Sequence, residues 1–414
     1  MKRAWLVVMI AACKRDGAPP VSLLQDATIV VGSDAAIAVA RDAAPVAAIA
    51  PTAIELAIGL HAACAVMSDH TVRCWGANDR GQLGNGTQQD SATPVQPNLR
   101  GVQHLALGDD HACVLLDDAS VACWGNIGFG PKPGPTLVPT GVVGVHDMAR
   151  VFAVGGASCA TAKDGPLVCW GDVDARGHRL QTGAHHAPTP VPGVAHVAAL
   201  RDRAALLDDG SVVTWLDDGA PVKTEIAGAT ELATIPNAAC ALDGTGDAHC
   251  VGPAAPCQAP APPPAPTKPL IKSGPHNRGH GPHRVGRYAP PPAPPPAKPS
   301  DVLPFGTKLA HLDFDLGTCA VSAGKQLVCL DDACKLARPW PAMVNVVEAM
   351  STCVRLANGT VRCGVKGNAA APVVDGIARA TSLAGNFTRG CAIVDGGGVA
   401  CWDGAGAATS IIRP

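Results

Sequence analysis

The chain has 414 residues and a formal net charge of -2 at pH 7. This balance excludes a general attraction to nucleic acid, because such binding needs a basic face. Hydrophobic residues make up 47% of the chain but aromatic residues only 3%, so small apolar side chains would fill most of a core. A core of that kind benefits from covalent cross-links.

The start of the chain has the pattern of a bacterial lipoprotein signal over residues 1–12. Lys2 and Arg3 are basic, an apolar run follows, and Ile-Ala-Ala stands directly before Cys13 as a lipobox. The apolar run is too short to span a bilayer. The resemblance implies cleavage before Cys13 and acylation of that cysteine. Because Lys14 follows, we expect an outer-membrane anchor facing the periplasm or the cell surface; the alternative is a shortened secretory signal or a misplaced start codon.

Composition divides the rest of the chain into a tether, a folded part and an insertion. Residues 13–53 are rich in Ala, Pro and Asp and are predicted to form a tether, whereas the folded part is expected over 54–414. A Pro-rich insertion with several basic and no acidic residues interrupts it at 253–299, which predicts an extended polyproline-type arm. The arm would suit acidic envelope polymers or lipid headgroups, and a tolerated loop insertion is the alternative.

The insertion also contains histidines that could gather a metal ion, namely His276, His280 and His283, with Tyr288 close by. Flanking glycines and prolines leave these side chains without a fixed geometry. We therefore predict no metal site and no cofactor.

Seven pairs of cysteines recur through the folded part, and ten residues separate the members of each pair. The pairs are Cys64 with Cys74, Cys113 with Cys123, Cys159 with Cys169, Cys240 with Cys250, Cys319 with Cys329, Cys353 with Cys363, and Cys391 with Cys401. One further copy of the repeat, the eighth, has Ala204 and Thr214 in place of the two cysteines. Both cysteines are absent together, as expected if the members of each pair bond to each other. Zinc is the alternative, but structural zinc sites use shorter ligand spacings and an exported chain rarely keeps thiols.

Each pair is predicted to lie in one antiparallel hairpin. In the first copy, residues 54–58 alternate like a strand, Gly59 interrupts it, and turn residues stand at Ser68–His70 between two apolar runs. A spacing of ten then places the two cysteines opposite each other, within disulfide range. Pairs of aspartates at later turns, such as Asp117-Asp118, could suggest calcium, but the turn interpretation is favoured.

The repeat length predicts a β-propeller. The interval between successive first cysteines, or Ala204 in the eighth copy, is 34 to 49 residues outside the insertion, which fits four short strands. Such repeats, with glycines and a tryptophan after the third strand, are typical of propeller blades. The alternatives are a β-solenoid, whose coils are shorter, and a string of small domains, which could not each bury a core.

The first repeat resembles that of the regulator of chromosome condensation family, over Cys74-Trp75-Gly76 and the following stretch that reads Gly81-Gln-Leu-Gly-Asn-Gly-Thr87. The tryptophan recurs at Trp124, Trp170, Trp215 and Trp402. The resemblance implies an all-β propeller of seven blades, whereas eight hairpins are counted, so we expect seven to eight four-stranded blades with disulfide-stapled hairpins. The glycines are expected in turns, and the tryptophans as wedges between blades.

The family also suggests functions. Its founding eukaryotic member is an exchange factor for a small GTPase and binds chromatin, neither of which an exported lipoprotein would meet. Secreted bacterial propellers of the family that inhibit β-lactamases are closer in setting, although no contact residues carry over to this chain. Two cysteines outside the pattern, Cys257 and Cys334, each follow a hairpin, and we expect a bridge between them at the base of the insertion.

No catalytic constellation stands out among the nucleophiles, carboxylates and histidines. His61 and His111 are interpreted as one repeat position before a cysteine, which argues for structural use, and His185-His186 lies in an irregular loop. We therefore expect a lipid-anchored scaffold that is not an enzyme. It would bind an unidentified envelope or extracellular protein or glycan through the loops after Trp75, Trp124 and Trp170. The alternatives are a propeller hydrolase or lyase with a central site, and a structural protein that contacts the cell wall.

Overall fold

The computed structural model of the chain describes residues 50–128, 134–172, 186–202, 204–215, 221–235, 238–252, 257, 302–313, 318–331, 334–337, 343–350, 353–364, 372–377, 379–386, 389–403 and 407–413. The regular elements of these residues are all strands. No helix in this part of the chain is long and apolar enough to cross a bilayer.

The first four sheets each contain four consecutive antiparallel strands. They are β1 (Ala53–Ile58), β2 (Ala62–Met67), β3 (Val72–Gly76) and β4 (Ser91–Val95); β5 (Val102–Leu107), β6 (His111–Leu116), β7 (Val121–Gly125) and β8 (Thr136–Gly141); β9 (Met148–Val154), β10 (Ala157–Ala162), β11 (Pro166–Gly171) and β12 (His186–Ala195); and β13 (Val197–Arg201), β14 (Ala204–Leu207), β15 (Val212–Thr214) and β16 (Val222–Lys223).

The next four sheets follow the same order, with three strands described in the fifth and seventh. They are β17 (Ala229–Ile235), β18 (Ala238–Asp243) and β19 (Ala248–Val251); β20 (Leu309–Asp313), β21 (Cys319–Ser322), β22 (Leu327–Leu330) and β23 (Leu336–Ala337); β24 (Val346–Met350), β25 (Cys353–Leu356) and β26 (Val361–Cys363); and β27 (Ala380–Gly385), β28 (Arg389–Val394), β29 (Val399–Asp403) and β30 (Thr409–Ile412).

The sheets are the blades of a ring. The first strand of each blade contacts the first strands of both neighbouring blades, from β1 through β5, β9, β13, β17, β20 and β24 to β27, which returns to β1. The first strands therefore surround the centre. The predicted all-β propeller is confirmed, and the described residues form eight blades, not the seven that the family resemblance implies.

The ring closes between the eighth and first blades without a shared sheet, because every described blade is one continuous segment. The amide of Ala53 donates to the carbonyl oxygen of Gly397 over 2.8 Å. The Asn386 side chain donates to the carbonyl oxygen of Gly59, also over 2.8 Å. Closure therefore rests on contacts between two complete blades.

The cysteines of each predicted hairpin pair stand directly opposite each other in neighbouring strands, with Cα atoms 4.0–4.1 Å apart, and are joined. The disulfide-stapled hairpins of the predicted fold are thus confirmed. The seven bonds join Cys64 to Cys74, Cys113 to Cys123, Cys159 to Cys169, Cys240 to Cys250, Cys319 to Cys329, Cys353 to Cys363, and Cys391 to Cys401.

Two further residue pairs lie where the sequence predicts them. In the fourth blade Ala204 and Thr214 occupy the same directly paired register as the cysteines. Cys257 and Cys334 are joined as expected, with Cα atoms 5.4 Å apart. The rest of the 253–299 insertion, like residues 1–49, lies outside the described residues.

Eight apolar clusters form the core, and each lies between two consecutive blades. The tryptophans contribute as expected: Trp124 packs in the cluster that contains Cys64 and Cys74 of the preceding blade. Trp75 lies in the same relation to Cys391 and Cys401. One detail of the prediction is wrong, since Trp75 and Trp124 lie within the third strands, β3 and β7, and not after them. There their side chains face the neighbouring blade.

Candidate functional site

The loop between β3 and β4 is built around the side chain of Asn78, which is fully buried. Its amide nitrogen donates to the carbonyl oxygens of Thr87 and Gln89, each over 3.0 Å. Its side-chain oxygen accepts a hydrogen bond from the amide of Leu83 over 2.9 Å. In turn, the amide of Asn78 donates to the Asp90 carboxylate over 2.8 Å. One buried amide group therefore holds both ends of the loop together.

This loop packs against the tryptophan of the second blade. The indole Nε1 of Trp124 donates to the main-chain carbonyl oxygen of Gln82 over 2.9 Å. A Cβ atom on Gly84, whose φ is +65°, would lie 2.8 Å from the indole ring, so the glycine backbone packs directly on that ring. The family-like stretch at Gly81–Thr87 is thus a structural joint between two blades.

Of the predicted contact loops, the one after Trp75 is described throughout and is only partly available to a partner. In the loop after Trp75, Gln82, Leu83 and Gly84 are buried at the joint, while residues 86–90 are exposed. Residues 129–133 of the loop after Trp124 and 173–185 of the loop after Trp170 lie outside the described residues, so the role predicted for these two loops stays a prediction.

The joint at the closure of the ring differs from the joint between the first two blades. Trp75 pairs with Ala63 across its hairpin as Trp124 pairs with Ala112, so the two indoles are structurally equivalent. The eighth blade, however, has a short connection, since β29 ends at Asp403 and β30 begins at Thr409. Among the described residues, nothing accepts a hydrogen bond from Nε1 of Trp75, which is buried.

A cavity of about 650 Å³ opens at this closure. We call it the seam groove, and it is lined by residues of the first blade, His61, Trp75, Gly76, Ala77, Asp90, Ser91 and Ala92, and of the eighth, Arg389, Cys401, Trp402, Asp403, Ala407, Thr409 and Ile411. Its volume lies within the roughly 300–1,000 Å³ that ligand pockets occupy. The seam groove is the candidate functional site, and no pattern in the sequence predicts it.

Charges of both signs border the seam groove. The guanidinium of Arg389 donates to the carbonyl oxygen of His61 over 3.1 Å and lies 3.3 Å from the carboxylate of Asp403. His61 in turn lies 3.3 Å from the carboxylate of Asp110. Asp90 is held by the amide of Asn78. The groove therefore presents hydrogen-bond donors and acceptors together, without a strong excess of either charge.

A second set of polar groups lies on the first strands. The carboxylates of Glu55, Glu231 and Glu348 accept hydrogen bonds from main-chain amides of the following blade, at 3.4, 3.1 and 3.2 Å. Burial raises the pKa of Glu55, and the hydrogen bond from Leu105 opposes that rise. His311 and Arg355 lie 2.6 and 2.7 Å from Glu231 and Glu348, respectively. These carboxylates bind neighbouring blades together.

One repeat position in the sequence corresponds to some of these polar groups on the first strands. Ionisable residues stand nine positions before the first cysteine in four of the repeats, as Glu55, His104, Arg150 and Glu231. Arg150 donates to the carbonyl oxygen of Val197 in the next blade over 3.1 Å. The repeat register therefore contains a position for contacts between blades.

The interpretation of His61 and His111 as one repeat position is wrong. His111 pairs with Gly125, whereas Ala62 pairs with the equivalent Gly76, so the two histidines are offset by one residue and His61 lies just before its strand. His111 is buried, with its Nε2 atom 2.8 Å from the Ser158 hydroxyl. Burial lowers the pKa of His111 to about 4 and keeps the ring neutral at pH 7.

The aspartates at the hairpin tips form turns. The Asp118 carboxylate accepts hydrogen bonds from the amide and hydroxyl of Ser120, and Asp209 accepts one from the amide of Ser211. Across the described ranges, no group of three or more His, Cys, Asp or Glu side chains is placed to hold a metal ion. Cys13, His185 and the histidines of the insertion lie outside these ranges.

Comparison with known proteins identifies the repeat. Two sequence profiles, both described as Regulator of chromosome condensation (RCC1) repeat, match residues 69–115 and residues 53–82 and 102–130. No curated protein matches the chain in sequence.

Several solved structures are similar in fold. Human WBSCR16 is 19% identical with a TM-score of 0.41, covering 49% of this chain and 62% of that chain, which is less than two thirds of its length. Yeast RCC1 (Prp20), in a structure bound to Kap60, is 15% identical with a TM-score of 0.42, covering 87% and 75%. BamB from Moraxella catarrhalis is 12% identical with a TM-score of 0.42, covering 84% and 94%.

Proposed function

Because this chain is a β-propeller with repeats of the RCC1 type, we propose that it is a non-catalytic scaffold that binds a protein or glycan of the bacterial envelope. The observation that carries the proposal is the seam groove, a cavity of about 650 Å³ between the first and eighth blades. A concave site with a few fixed polar groups is the usual form of a binding site.

The surroundings of the groove support binding over catalysis. Its charged and titratable groups already have partners. Arg389 contacts Asp403 and the carbonyl oxygen of His61, and Asp90 accepts a hydrogen bond from the amide of Asn78. The His61 ring lies 3.3 Å from the Asp110 carboxylate. General acid or base catalysis needs a group that can reach and exchange a proton with the substrate. The buried, neutral His111 lies at the joint of the second and third blades, away from this groove. The chemistry of the groove is therefore that of recognition.

We further propose that the protein acts at the outer membrane, anchored through acylated Cys13. The cross-links support an exported location, because disulfides persist in oxidising compartments. Eight disulfides are formed among the described residues. Residues 13–53 would then separate the propeller from the membrane surface.

The test uses the oxidised full chain with Cys13→Ser as bait for solubilised envelope extract. Retained partners would be identified by mass spectrometry and titrated as purified components. Ala92→Trp fills the groove at an exposed lining position, and Val143→Trp is the matched control on an exposed residue outside it. We expect the control to bind the partner as well as the parent does, and Ala92→Trp to lose it.

Two outcomes would contradict the proposal. Retention that is equal in all variants would show that the groove takes no part in binding. Retention that is lost only on deletion of residues 253–299 would favour the alternative of a structural protein that contacts the cell wall through its insertion.

A further inference from the structure

We propose that the disulfide between Cys257 and Cys334 is a redox site that exchanges electrons with a dithiol protein of the same compartment. The seven hairpin disulfides do not react with that protein while the chain is folded. The bond joins the segment after β19 in the fifth blade to the loop between β22 and β23 in the sixth. It therefore links two blades, whereas each hairpin bond lies within one.

Exposure separates this bond from the hairpin disulfides. Cys257 is exposed and Cys334 is half-buried. Of the fourteen cysteines in the hairpin bonds, thirteen are buried and one, Cys329, is half-buried. The rate of thiol–disulfide exchange depends on the access of a thiolate to a disulfide sulfur. A thiolate carried by another protein can therefore reach Cys257 in the folded chain but cannot reach the hairpin bonds.

The backbone is left-handed at both ends of the bond. The φ angle is +66° at Cys257 and +58° at Cys334, and no other bonded cysteine among the described residues has a positive φ. This conformation is unfavourable for residues other than glycine and persists where surrounding contacts enforce it. Opening the bond removes one of those constraints. Exposed or strained disulfides are the more easily reduced ones, so both features favour reduction here.

The joint between the fifth and sixth blades has other contacts that hold it. Phe305, which is 2% exposed, packs in the apolar cluster that both blades share. The ammonium group of Lys308 in the sixth blade lies 2.6 Å from the carboxylate of Asp247 in the fifth. The bond between Cys257 and Cys334 can therefore open while the two blades stay together.

The exchange proceeds in two steps. A thiolate of the dithiol protein forms a bond to Sγ of Cys257, the more exposed end, and the electron pair of the broken disulfide leaves on Sγ of Cys334. The second thiolate of the donor then attacks the donor's own sulfur in the mixed disulfide and releases Cys257. Both cysteines take up a proton, so the chain gains two electrons and two protons while the donor is oxidised to a disulfide.

The test uses the oxidised full chain with Cys13→Ser, and reduced thioredoxin is the dithiol probe. Samples are alkylated over time, and the sixteen remaining cysteines are quantified by peptide mass spectrometry. Thioredoxin whose resolving cysteine is replaced by serine traps the mixed disulfide and identifies the attacked sulfur. The bond between Cys319 and Cys329 is the internal control, because it lies in the sixth blade and contains the one half-buried hairpin cysteine.

We expect Cys257 and Cys334 to be alkylated together, about tenfold or more faster than the control pair, because a buried hairpin bond reacts only after local unfolding. The trapping probe should be linked to Cys257. The double variant with Cys257→Ala and Cys334→Ala should lose the fast phase. It keeps all seven hairpin bonds, so its tryptophan fluorescence should remain that of the folded parent.

The inference is overturned if Cys319 and Cys329 are alkylated as fast as Cys257 and Cys334, because both bonds would then react through unfolding of the sixth blade. It is also overturned if the trapping probe is linked to any cysteine other than Cys257, or to none. A fast phase that persists in the double variant would likewise assign the reaction to a hairpin bond.

Discussion

Trp124 of the second blade donates its indole N–H to the main-chain carbonyl oxygen of Gln82 in the first blade, across 2.9 Å. Gln82 lies in the loop between β3 and β4, and the two residues meet at the joint between the two blades. A loop within one blade is therefore shaped by the blade after it.

The first prediction concerns Gly84, which packs on that indole. Gly84→Ala should destabilise the protein for two reasons, the left-handed φ of +65° and the 2.8 Å approach of the new Cβ atom to the ring. Gly144→Ala is the matched control, since its φ is +80° but nothing lies within 4 Å of the added atom. In urea unfolding, Gly84→Ala should cost about 1–3 kcal/mol more than the control, which is the usual cost of overpacking. Equal losses would contradict the proposed contact.

The second prediction concerns Asn78. Asn78→Ala removes an acceptor from the amide of Leu83 and a donor from the carbonyl oxygens of Thr87 and Gln89, and it should cost about 2–4 kcal/mol. Asn358→Ala, which breaks a single exposed turn contact with Thr360, should cost about 0.5–1 kcal/mol. The free energies of unfolding of both variants would be compared with that of the parent. A small loss for Asn78→Ala would show that the loop holds without its central side chain.

The third prediction concerns the fourth blade, which lacks a disulfide. Ala204 and Thr214 are directly paired like the cysteines of the other hairpins. Ala204→Cys together with Thr214→Cys should therefore oxidise spontaneously and add about 2–3 kcal/mol of stability in the loop-entropy model. Intact-mass measurement of the protein after thiol alkylation reports whether the bond forms. Alkylation of both new cysteines in the folded protein would show that the register is wrong.

The fourth prediction is a pH dependence from His111. Its folded pKa of about 4 lies below its ordinary value of 6.5, so between those values the unfolded chain binds more protons than the folded one. Stability from this group is therefore complete above pH 6.5 and is lost as the pH falls toward 4. Between pH 7 and pH 4.5, urea unfolding should show a loss of about 2 kcal/mol that His111→Gln lacks. Equal losses in both proteins would assign the effect to other groups.

Much of the fold follows from the sequence because the repeat is local. A spacing of ten between Cys64 and Cys74 requires a hairpin of one length, and the tryptophan beside Cys74 requires a neighbouring face to cover it. The count of eight hairpins likewise corresponds to eight blades among the described residues.

The candidate site did not follow from the sequence. The seam groove is lined by Trp75 and Arg389, which no local pattern in the sequence connects. The offset between His61 and His111 is a property of the sequence, since His61 stands three residues before Cys64 and His111 two residues before Cys113. The position of an acceptor beside an indole is set by packing between blades, which spacing within one repeat does not encode.

Each described blade is a continuous segment, and the closure uses the same contact as four of the inner joints, a tryptophan against the disulfide of the preceding blade. Duplication or loss of a gene segment from one first strand to the next would therefore add or remove a whole blade without cutting a sheet. In a propeller whose closing blade combines strands from both ends of the chain, adding or removing a blade at one end would divide that sheet. The architecture thus allows the number of blades to change by whole units.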